Sequence, residues 1–136
     1  MMLSAAVTRN ALRKAVVASS PLSRSYSATV TELNESLESV QTFQTSNPKS
    51  VLYYTATWCG PCRHIKPMYQ ELADKYESKG IAFGLVDIDA NADAAAEVRI
   101  TSVPTFFSFQ KAESVKQFSG ADPNQLKQMV EELDEL

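Results

Sequence analysis

The sequence is poor in the residues on which several classes of protein depend. Its 136 residues include 2 cysteines and 1 histidine, too few for a disulfide-stapled secreted scaffold or for a structural zinc site. No uncharged apolar run approaches the roughly 20 residues that a transmembrane helix requires. A net charge of -3 also lacks the basic excess of a general nucleic-acid binder. We therefore expect a globular protein with one folded domain, no metal, and neither nucleic acid nor membrane as a partner.

Acidic residues are missing from the first part of the chain. Residues 1–26 are rich in alanine and serine, are weakly amphipathic, and carry as their charged residues Arg9, Arg13, Lys14 and Arg24. Such a segment is typical of a mitochondrial transit peptide, and "RSYSA" resembles a processing site with cleavage after Tyr26. We predict a cleaved transit peptide over 1–26, a folded domain over 27–136, and a mitochondrial location, in the matrix. The alternatives are a disordered tail or a secretory leader.

Hydrophobic spacing in the rest of the chain predicts helices that alternate with strands. The helices are expected over 29–47, from Cys59 to near Gly80, over 91–99 and from Asp122 to the end, where the buried stripe is Leu126, Met129, Leu133 and Leu136. The strands are expected over 50–56 and 81–89 and in a hairpin of 105–109 and 114–118, joined by the four-residue connection 110–113. Parallel βαβ units followed by a hairpin predict a mixed sheet with helices on both faces.

Both cysteines lie in "ATWCGPCRHIKP", residues 56–67, where the strand 50–56 passes into a helix. A helix N-terminus carries unsatisfied N–H groups and a partial positive charge, so a thiol there has a pKa below the usual value of about 8.5. Two intervening residues allow a disulfide across the first helical turn. Gly60 removes bulk beside the nucleophile and Pro61 fits the first turn, while Trp58 is expected to shield one side of the pair.

Two cysteines at this spacing predict a nucleophile and a resolving thiol. Cys59, as the more N-terminal and therefore the more exposed thiol, is expected to attack a substrate disulfide, and Cys62 to release the product. A metal site with His64 is disfavoured, because its side chain would point about 200° away from Cys62 on a helix. Two incidental core cysteines are the remaining alternative.

The motif "ATWCGPC", together with "TSVPTF" at 101–106 and "SGADPNQL" at 119–126, resembles the thioredoxin family over most of residues 28–136. The resemblance is greatest to its mitochondrial members. It implies an α/β thioredoxin fold, with a central mixed β-sheet flanked by four helices, and a thiol-disulfide oxidoreductase that reduces protein disulfides. It also implies a monomer without a bound cofactor, an NADPH-dependent thioredoxin reductase as electron donor, and substrates such as peroxiredoxins.

The same resemblance implies the residues of the site. Cys59 and Cys62 would form the redox-active disulfide, and a cis Pro104 would present the backbone of Val103 to an extended substrate. The groove would consist of Trp58, Gly60, Pro61, Val103, Pro104, Gly120 and Ala121. Gly-Pro between the cysteines favours a reductase. The alternatives are a disulfide oxidant or isomerase on the same fold, and a protein-binding module that acts regardless of redox state.

Two positions depart from the family pattern. Tyr53 occupies the place of a buried aspartate that would help to deprotonate the resolving thiol, and Leu85 occupies that of its lysine partner. We expect Tyr53 to pack in the core with its hydroxyl satisfied, and Cys62 to lose its proton by way of water. Arg63, His64 and Lys66 are expected to form a solvated basic helix face, with docking of an acidic partner as the alternative.

Overall fold

A computed structural model describes residues 29–136 of the chain; the predicted transit peptide over 1–26 lies outside them. The described part contains five strands: β1 (Val30–Glu32), β2 (Lys49–Thr55), β3 (Ile81–Asp87), β4 (Thr105–Gln110) and β5 (Glu113–Ser119). It also contains four α-helices: α1 (Leu37–Ser46), α2 (Gly60–Tyr76), α3 (Ala92–Glu97) and α4 (Pro123–Asp134), with a 3-10 turn at Glu77–Lys79. None of the described helices is long and apolar enough to cross a membrane.

The five strands form one mixed sheet in the order β1-β3-β2-β4-β5. β3 pairs in parallel with both β1 and β2, and the hairpin of β4 and β5 adds antiparallel pairing on the other side of β2. The central position of β2 explains its continuous apolar sequence, because residues from Ser50 to Thr55 are buried. The prediction of a mixed sheet around a doubly covered central strand is confirmed.

Alternate residues of β2 point into two separate cores. Val51 and Tyr53 belong to the core beneath α2 and α4, which also contains both cysteines. Leu52 and Tyr54 belong to the core beneath α1 and α3. One strand therefore holds the two layers of helices together and carries the chain directly into the cysteine motif.

Helix α2 follows the predicted apolar spacing. Its buried face consists of Cys62, Ile65, Tyr69, Leu72, Ala73 and Tyr76. Pro61 lies in the first turn, where a missing N–H costs no intrahelical hydrogen bond, and Gly80 ends the following 3-10 turn at a φ of 87°. The helix is thereby fixed against the sheet along its length, with its N-terminus at the cysteine pair.

The prediction of a helix over 29–47 is wrong in its first part. Residues Val30–Glu32 pair with β3, and the N–H of Leu33 donates to Leu85 O at 2.8 Å, which continues the strand. Helix α1 begins only after Ser36, whose hydroxyl accepts from the N–H of Ser39. Leu33 is buried because it continues β1, not because it lies on the apolar face of a helix. Its spacing from Leu37 therefore wrongly indicated a helix.

Two details at the end of the chain also differ from expectation. The hairpin connection consists of two residues rather than four: Lys111 and Ala112, with φ values of 52° and 70°. Such φ values are those of a tight hairpin turn, which glycine or asparagine usually occupies. In α4 the predicted stripe omitted Val130, which is fully buried, and included Leu136, which is 56% exposed because it lies beyond the helix.

Close packing at Gly84 gives a stability prediction. A Cβ at this position would lie 2.8 Å from Leu33 Cδ1, 3.0 Å from Leu52 Cδ2 and 3.1 Å from Phe43 Cε2. Gly84→Ala should lower the free energy of unfolding by about 1–3 kcal/mol, because these buried side chains must all shift, as measured by urea denaturation. Gly60→Ala is the control, since nothing lies within 4 Å of its Cβ. Equal stability of the two variants would contradict the packing explanation.

Candidate active site

The junction of β2 and α2 places Cys59 at the helix N-cap. The residue has extended backbone angles, with φ -86° and ψ 109°, and its Sγ accepts from the N–H of Cys62 at 3.1 Å. This N–H belongs to the first helical turn and has no partner within the helix. A thiolate on Cys59 would gain this hydrogen bond and the favourable end of the helix dipole, both of which lower a thiol pKa.

Cys59 and Cys62 form a disulfide, with their Cα atoms 5.3 Å apart. Cys59 and Cys62 are each 3% exposed as whole residues, and the expectation that the Cys59 thiol is the more exposed stays a prediction. The two sulfurs are distinguished instead by their surroundings, since it is Cys59 Sγ that receives the helix N–H.

Three loops meet beside Cys59. The Val103–Pro104 peptide bond is cis, and the carbonyl oxygen of Val103 lies 3.7 Å from Cys59 Sγ. The N–H of Gly120 donates to Pro104 O at 2.8 Å, and its φ of 110° favours glycine at this point. Val103 and the neighbouring Ala121 pack partly buried against the core that contains both cysteines. Of the expected groove residues, Val103 contacts Cys59 Sγ and Gly120 is joined to Pro104, while Gly60 and Pro61 are exposed in the first turn of α2.

Trp58 is 65% exposed, so the expected shielding of the cysteine pair stays a prediction. Its Nε1–H donates to Asp89 Oδ2 at 2.9 Å, which ties the indole to the loop after β3. Sequence reasoning did not identify Asp89 as part of the site. The available signal was its position just beyond β3, since the carboxyl ends of the parallel strands β2 and β3 meet at one edge of the sheet.

Tyr53 lies beneath the cysteine pair, and its predicted packing is confirmed. The residue is 1% exposed, its hydroxyl donates to Cys62 O at 3.0 Å, and its ring stacks on Phe106 with centroids 4.8 Å apart. Its cross-strand neighbour is Leu85. Two positions in the core under the disulfide depart from the family pattern. One of them is therefore aromatic, Tyr53, and the other is aliphatic, Leu85.

Two further buried tyrosines, Tyr54 and Tyr69, supply no base near neutral pH. Burial raises the pKa of Tyr69 well above its ordinary value, and the neighbouring Tyr53 adds to the effect. The Tyr69 hydroxyl donates to Gly84 O at 2.6 Å, as part of the core. Burial, with a smaller contribution from Glu97, raises the pKa of Tyr54 to about 12. Tyr69 therefore acts through packing and hydrogen bonds, and Tyr54 through packing against Phe107.

The basic residues of α2 differ in their contacts. Arg63 is exposed and its Nη2 donates to Thr57 O at 3.3 Å, while His64 is exposed on another side of the helix. Lys66 is half-buried and lines a cleft of about 220 Å³ together with Cys62. Within residues 29–136 no group of three or more histidine, cysteine, aspartate or glutamate side chains could hold a metal ion.

Comparison with known proteins identifies relatives of this chain. The family model described as thioredoxin matches residues 28–132. The thioredoxin of the sheep, Ovis aries, is 42% identical over 83 residues, which cover 61% of this chain and 77% of that protein.

Solved structures with the same architecture are also found. The mitochondrial thioredoxin 3 of Saccharomyces cerevisiae in its oxidised form gives a TM-score of 0.71 at 30% identity, over 76% of this chain and 95% of that one. A chain from the structural study of thiol resolution in yeast mitochondrial 1-Cys peroxiredoxin, by glutathione/thioredoxin systems, gives a TM-score of 0.71 at 28% identity. It covers 77% of this chain and 96% of its own length. These matches confirm the fold expected from the sequence.

The Tyr53 hydroxyl gives a test of its structural role. Tyr53→Phe should lower the free energy of unfolding by about 0.5–1.5 kcal/mol, because one buried hydrogen bond to Cys62 O is lost. Denaturation of the oxidised protein measures this change. The pH dependence of disulfide reduction should stay the same, because the hydroxyl donates to a backbone carbonyl rather than to a thiol. A displaced pH profile in Tyr53→Phe would show that the hydroxyl takes part in proton transfer.

Proposed function

The chain belongs to the thioredoxin family, and from this premise we propose that it is a protein-disulfide reductase of the mitochondrial matrix. As a family member with a Cys59–Cys62 disulfide it is a thiol-disulfide oxidoreductase. The observation that carries the proposed direction and mechanism is the position of Cys59 Sγ, at the helix N-cap and 3.7 Å from the carbonyl oxygen of Val103. This is the place where a thiolate is both stabilised and adjacent to a backbone that could hold a substrate.

In the first step of the proposed cycle the Cys59 thiolate attacks one sulfur of a substrate disulfide. A bond forms between Cys59 Sγ and that sulfur, and the second substrate sulfur leaves as a thiolate that takes up a proton. The N–H of Cys62 supports the attacking form, because it donates to Cys59 Sγ. Cys59 is therefore assigned as the nucleophile on its electrostatic surroundings rather than on its exposure.

In the second step Cys62 loses its proton and attacks Cys59 Sγ. The Cys59–Cys62 disulfide forms, the bond from Cys59 to the substrate breaks, and the substrate leaves with its second thiol. In the structure, which has this bond, the two Cα atoms lie 5.3 Å apart, a usual separation for a disulfide. Two electrons have then passed to the substrate. An NADPH-dependent thioredoxin reductase supplies two more from NADPH and so reduces the Cys59–Cys62 disulfide again.

The groove provides the proposed recognition of substrates. Val103 offers its backbone groups beside Cys59, and the hydrogen bond of Gly120 to Pro104 O holds the two flanking loops together. Contacts through backbone groups are indifferent to most side chains, which suits a reductase with many protein substrates. Trp58, Gly60, Pro61 and Ala121 form the rest of the proposed binding surface.

The proposed mitochondrial location is supported by similar structures from mitochondria. The yeast mitochondrial thioredoxin 3 and the neighbour from the 1-Cys peroxiredoxin study support a role in mitochondria with peroxiredoxins among the substrates. The basic composition of residues 1–26 supports import. We assign the protein to the maintenance of thiol redox balance there, as a monomer that cycles without a bound cofactor.

The alternatives of an oxidant or isomerase and of a redox-independent binding module have separate tests. The reduction potential separates a reductase from an oxidant, since about 30 mV corresponds to 1.4 kcal/mol in this two-electron couple. Binding of partners that survives the double change Cys59→Ser and Cys62→Ser would favour the module. The binding module gives the Cys59–Cys62 disulfide no role, and Gly60 and Pro61 between the cysteines favour a reductase over an oxidant or isomerase.

The roles of the two cysteines can be separated by trapping. With NADPH, a thioredoxin reductase and insulin, both Cys59→Ser and Cys62→Ser should abolish turnover. Only Cys62→Ser should accumulate a covalent complex with the substrate, because it retains the attacking thiol and lacks the resolving one. Non-reducing electrophoresis and mass spectrometry measure the complex. Accumulation in Cys59→Ser alone would reverse the assigned roles, and an inactive wild type would contradict the reductase proposal.

The proposed import signal is tested on the leader alone. Residues 1–30 fused to a fluorescent protein should direct it to mitochondria. Replacing the basic residues Arg9, Arg13, Lys14 and Arg24 by glutamine should prevent import, because the membrane potential acts on their positive charge. The matched control replaces the uncharged Ser4, Ser19, Ser20 and Ser23 by alanine. Import that depends equally on both sets would contradict a charge-driven signal.

A further inference from the structure

The deprotonation of Cys62 needs a separate explanation, because the N-terminus of α2 donates its hydrogen bond to the sulfur of Cys59. The N–H that would stabilise a thiolate donates to Cys59 Sγ, and it belongs to Cys62 itself. The nearest buried hydroxyl, that of Tyr53, donates to Cys62 O rather than facing the sulfur as a base. Any charge that favours the Cys62 thiolate must therefore come from the cleft beside it.

The residues that line this cleft beside Cys62 are uncharged or basic. Its volume of about 220 Å³ leaves room for several water molecules, and its lining includes Cys62, Tyr53 and Thr57. The charged side chains in this lining are Arg63 and Lys66, and it includes no carboxylate. A proton released by Cys62 can reach solvent here, and a thiolate left behind faces positive charge.

Lys66 is the better placed of the two cations. It lies four residues after Cys62, so both side chains are on one face of α2 with Cβ atoms about 5–6 Å apart. Its long apolar stem is half-buried along the cleft. The Arg63 guanidinium is instead exposed and donates to Thr57 O at the rim.

Two carboxylates line a second cleft to which Lys66 also contributes. A neighbouring cleft of about 330 Å³ shares Lys66 with the first and adds Glu32 of β1 and Asp87 at the end of β3. The carboxylate of Asp87 accepts the N–H groups of Asp89 at 2.9 Å and Ala90 at 3.3 Å. Glu32 is exposed on the edge strand. Lys66 therefore lines both the cleft that contains Cys62 and the cleft that contains these carboxylates.

We propose that the Lys66 ammonium group stabilises the thiolate of Cys62 in the resolving step, while the proton leaves through water in the shared cleft. Lys66 acts through Cys62 and does not touch the substrate. This inference rests on the proposed reductase cycle for its place in the reaction. The charge effect itself concerns the thiol alone and is measured without a substrate.

The chain offers a direct measurement because it contains only 2 cysteines. In full-length Cys59→Ser the sole thiol is Cys62, and the neutral serine stands in for the uncharged sulfur of the mixed disulfide. Serine is also a favourable N-cap residue, so the helix start is preserved. The rate of alkylation by iodoacetamide across pH 6 to 10 then gives the pKa of Cys62.

Adding Lys66→Gln to Cys59→Ser should raise the pKa of Cys62 by about one pH unit. Alkylation well below this pKa should slow roughly tenfold, because the thiolate fraction falls by that factor. Lys66→Met, which keeps the apolar stem, should give the same rise, and Lys66→Arg should restore the original value. The control Lys75→Gln removes a positive charge at the far end of α2, about 13 Å along the helix, and should change nothing.

With both cysteines present, Lys66→Gln should slow reduction of insulin roughly tenfold at pH 6 and leave it unchanged at high pH, where Cys62 ionises without help. An unchanged pKa of Cys62 in both neutral variants would overturn the inference, whatever the activity of the wild type. An equal rise in Lys75→Gln would overturn it as well, since the effect would then be one of net charge. A shift confined to Lys66 in a protein that reduces no disulfide would uphold the charge effect and overturn the reductase proposal.

Discussion

The unpaired N–H groups at the start of α2 are the constraint on which the site depends. Hydrogen bonding within a helix leaves its first N–H groups without partners, and here one of them, that of Cys62, points at Cys59 Sγ. Its position is fixed by β2, which is buried on both faces and cannot slide, and by the apolar face of α2 packed on the sheet. The nucleophile is thus held by the same packing that holds the fold together.

The core beneath the disulfide shows how this arrangement is stabilised without a buried charge. Tyr53 and Leu85 lie side by side on adjacent strands, at the two positions where the family resemblance leads one to expect an ion pair. Burying an ion pair carries a desolvation penalty that its attraction does not always recover, whereas an aromatic and an aliphatic side chain carry none. The Tyr53 hydroxyl retains one polar contact, to Cys62 O, which fixes the first turn of α2 from below. In the proposed cycle the resolving thiol therefore loses its proton through the cleft beside α2 rather than to a group in the core.

The sequence predicted best those features that depend on local pattern. The long apolar run of β2 and the 3.6-residue spacing of α2 identified their elements, and Asp122 followed by Pro123 marked the start of α4. It failed where pairing with a distant segment decided the conformation, as in β1, which exists because Val30–Glu32 finds the edge of β3. The contact of Trp58 with Asp89 and the approach of Val103 to Cys59 are also products of tertiary folding. The family resemblance supplied the groove residues, but only coordinates could reveal that the two cysteine residues are equally buried and that Cys59 Sγ accepts the N–H of Cys62.

This difference between the sulfurs accounts for the order of events in a dithiol cycle. Two thiolates close enough to form a disulfide repel each other, so in the proposed cycle a thiolate on Cys59 opposes the ionisation of Cys62. When Cys59 becomes bonded to a substrate its negative charge disappears, and the repulsion that held the proton on Cys62 disappears with it. A cation beside Cys62 then acts at the moment when the resolving thiolate is needed, because before that moment its attraction is opposed by the neighbouring charge. The positive potential thus comes from two separate sources. The N-terminus of α2 acts on Cys59 and the Lys66 side chain acts on Cys62, so the two thiols can ionise in sequence.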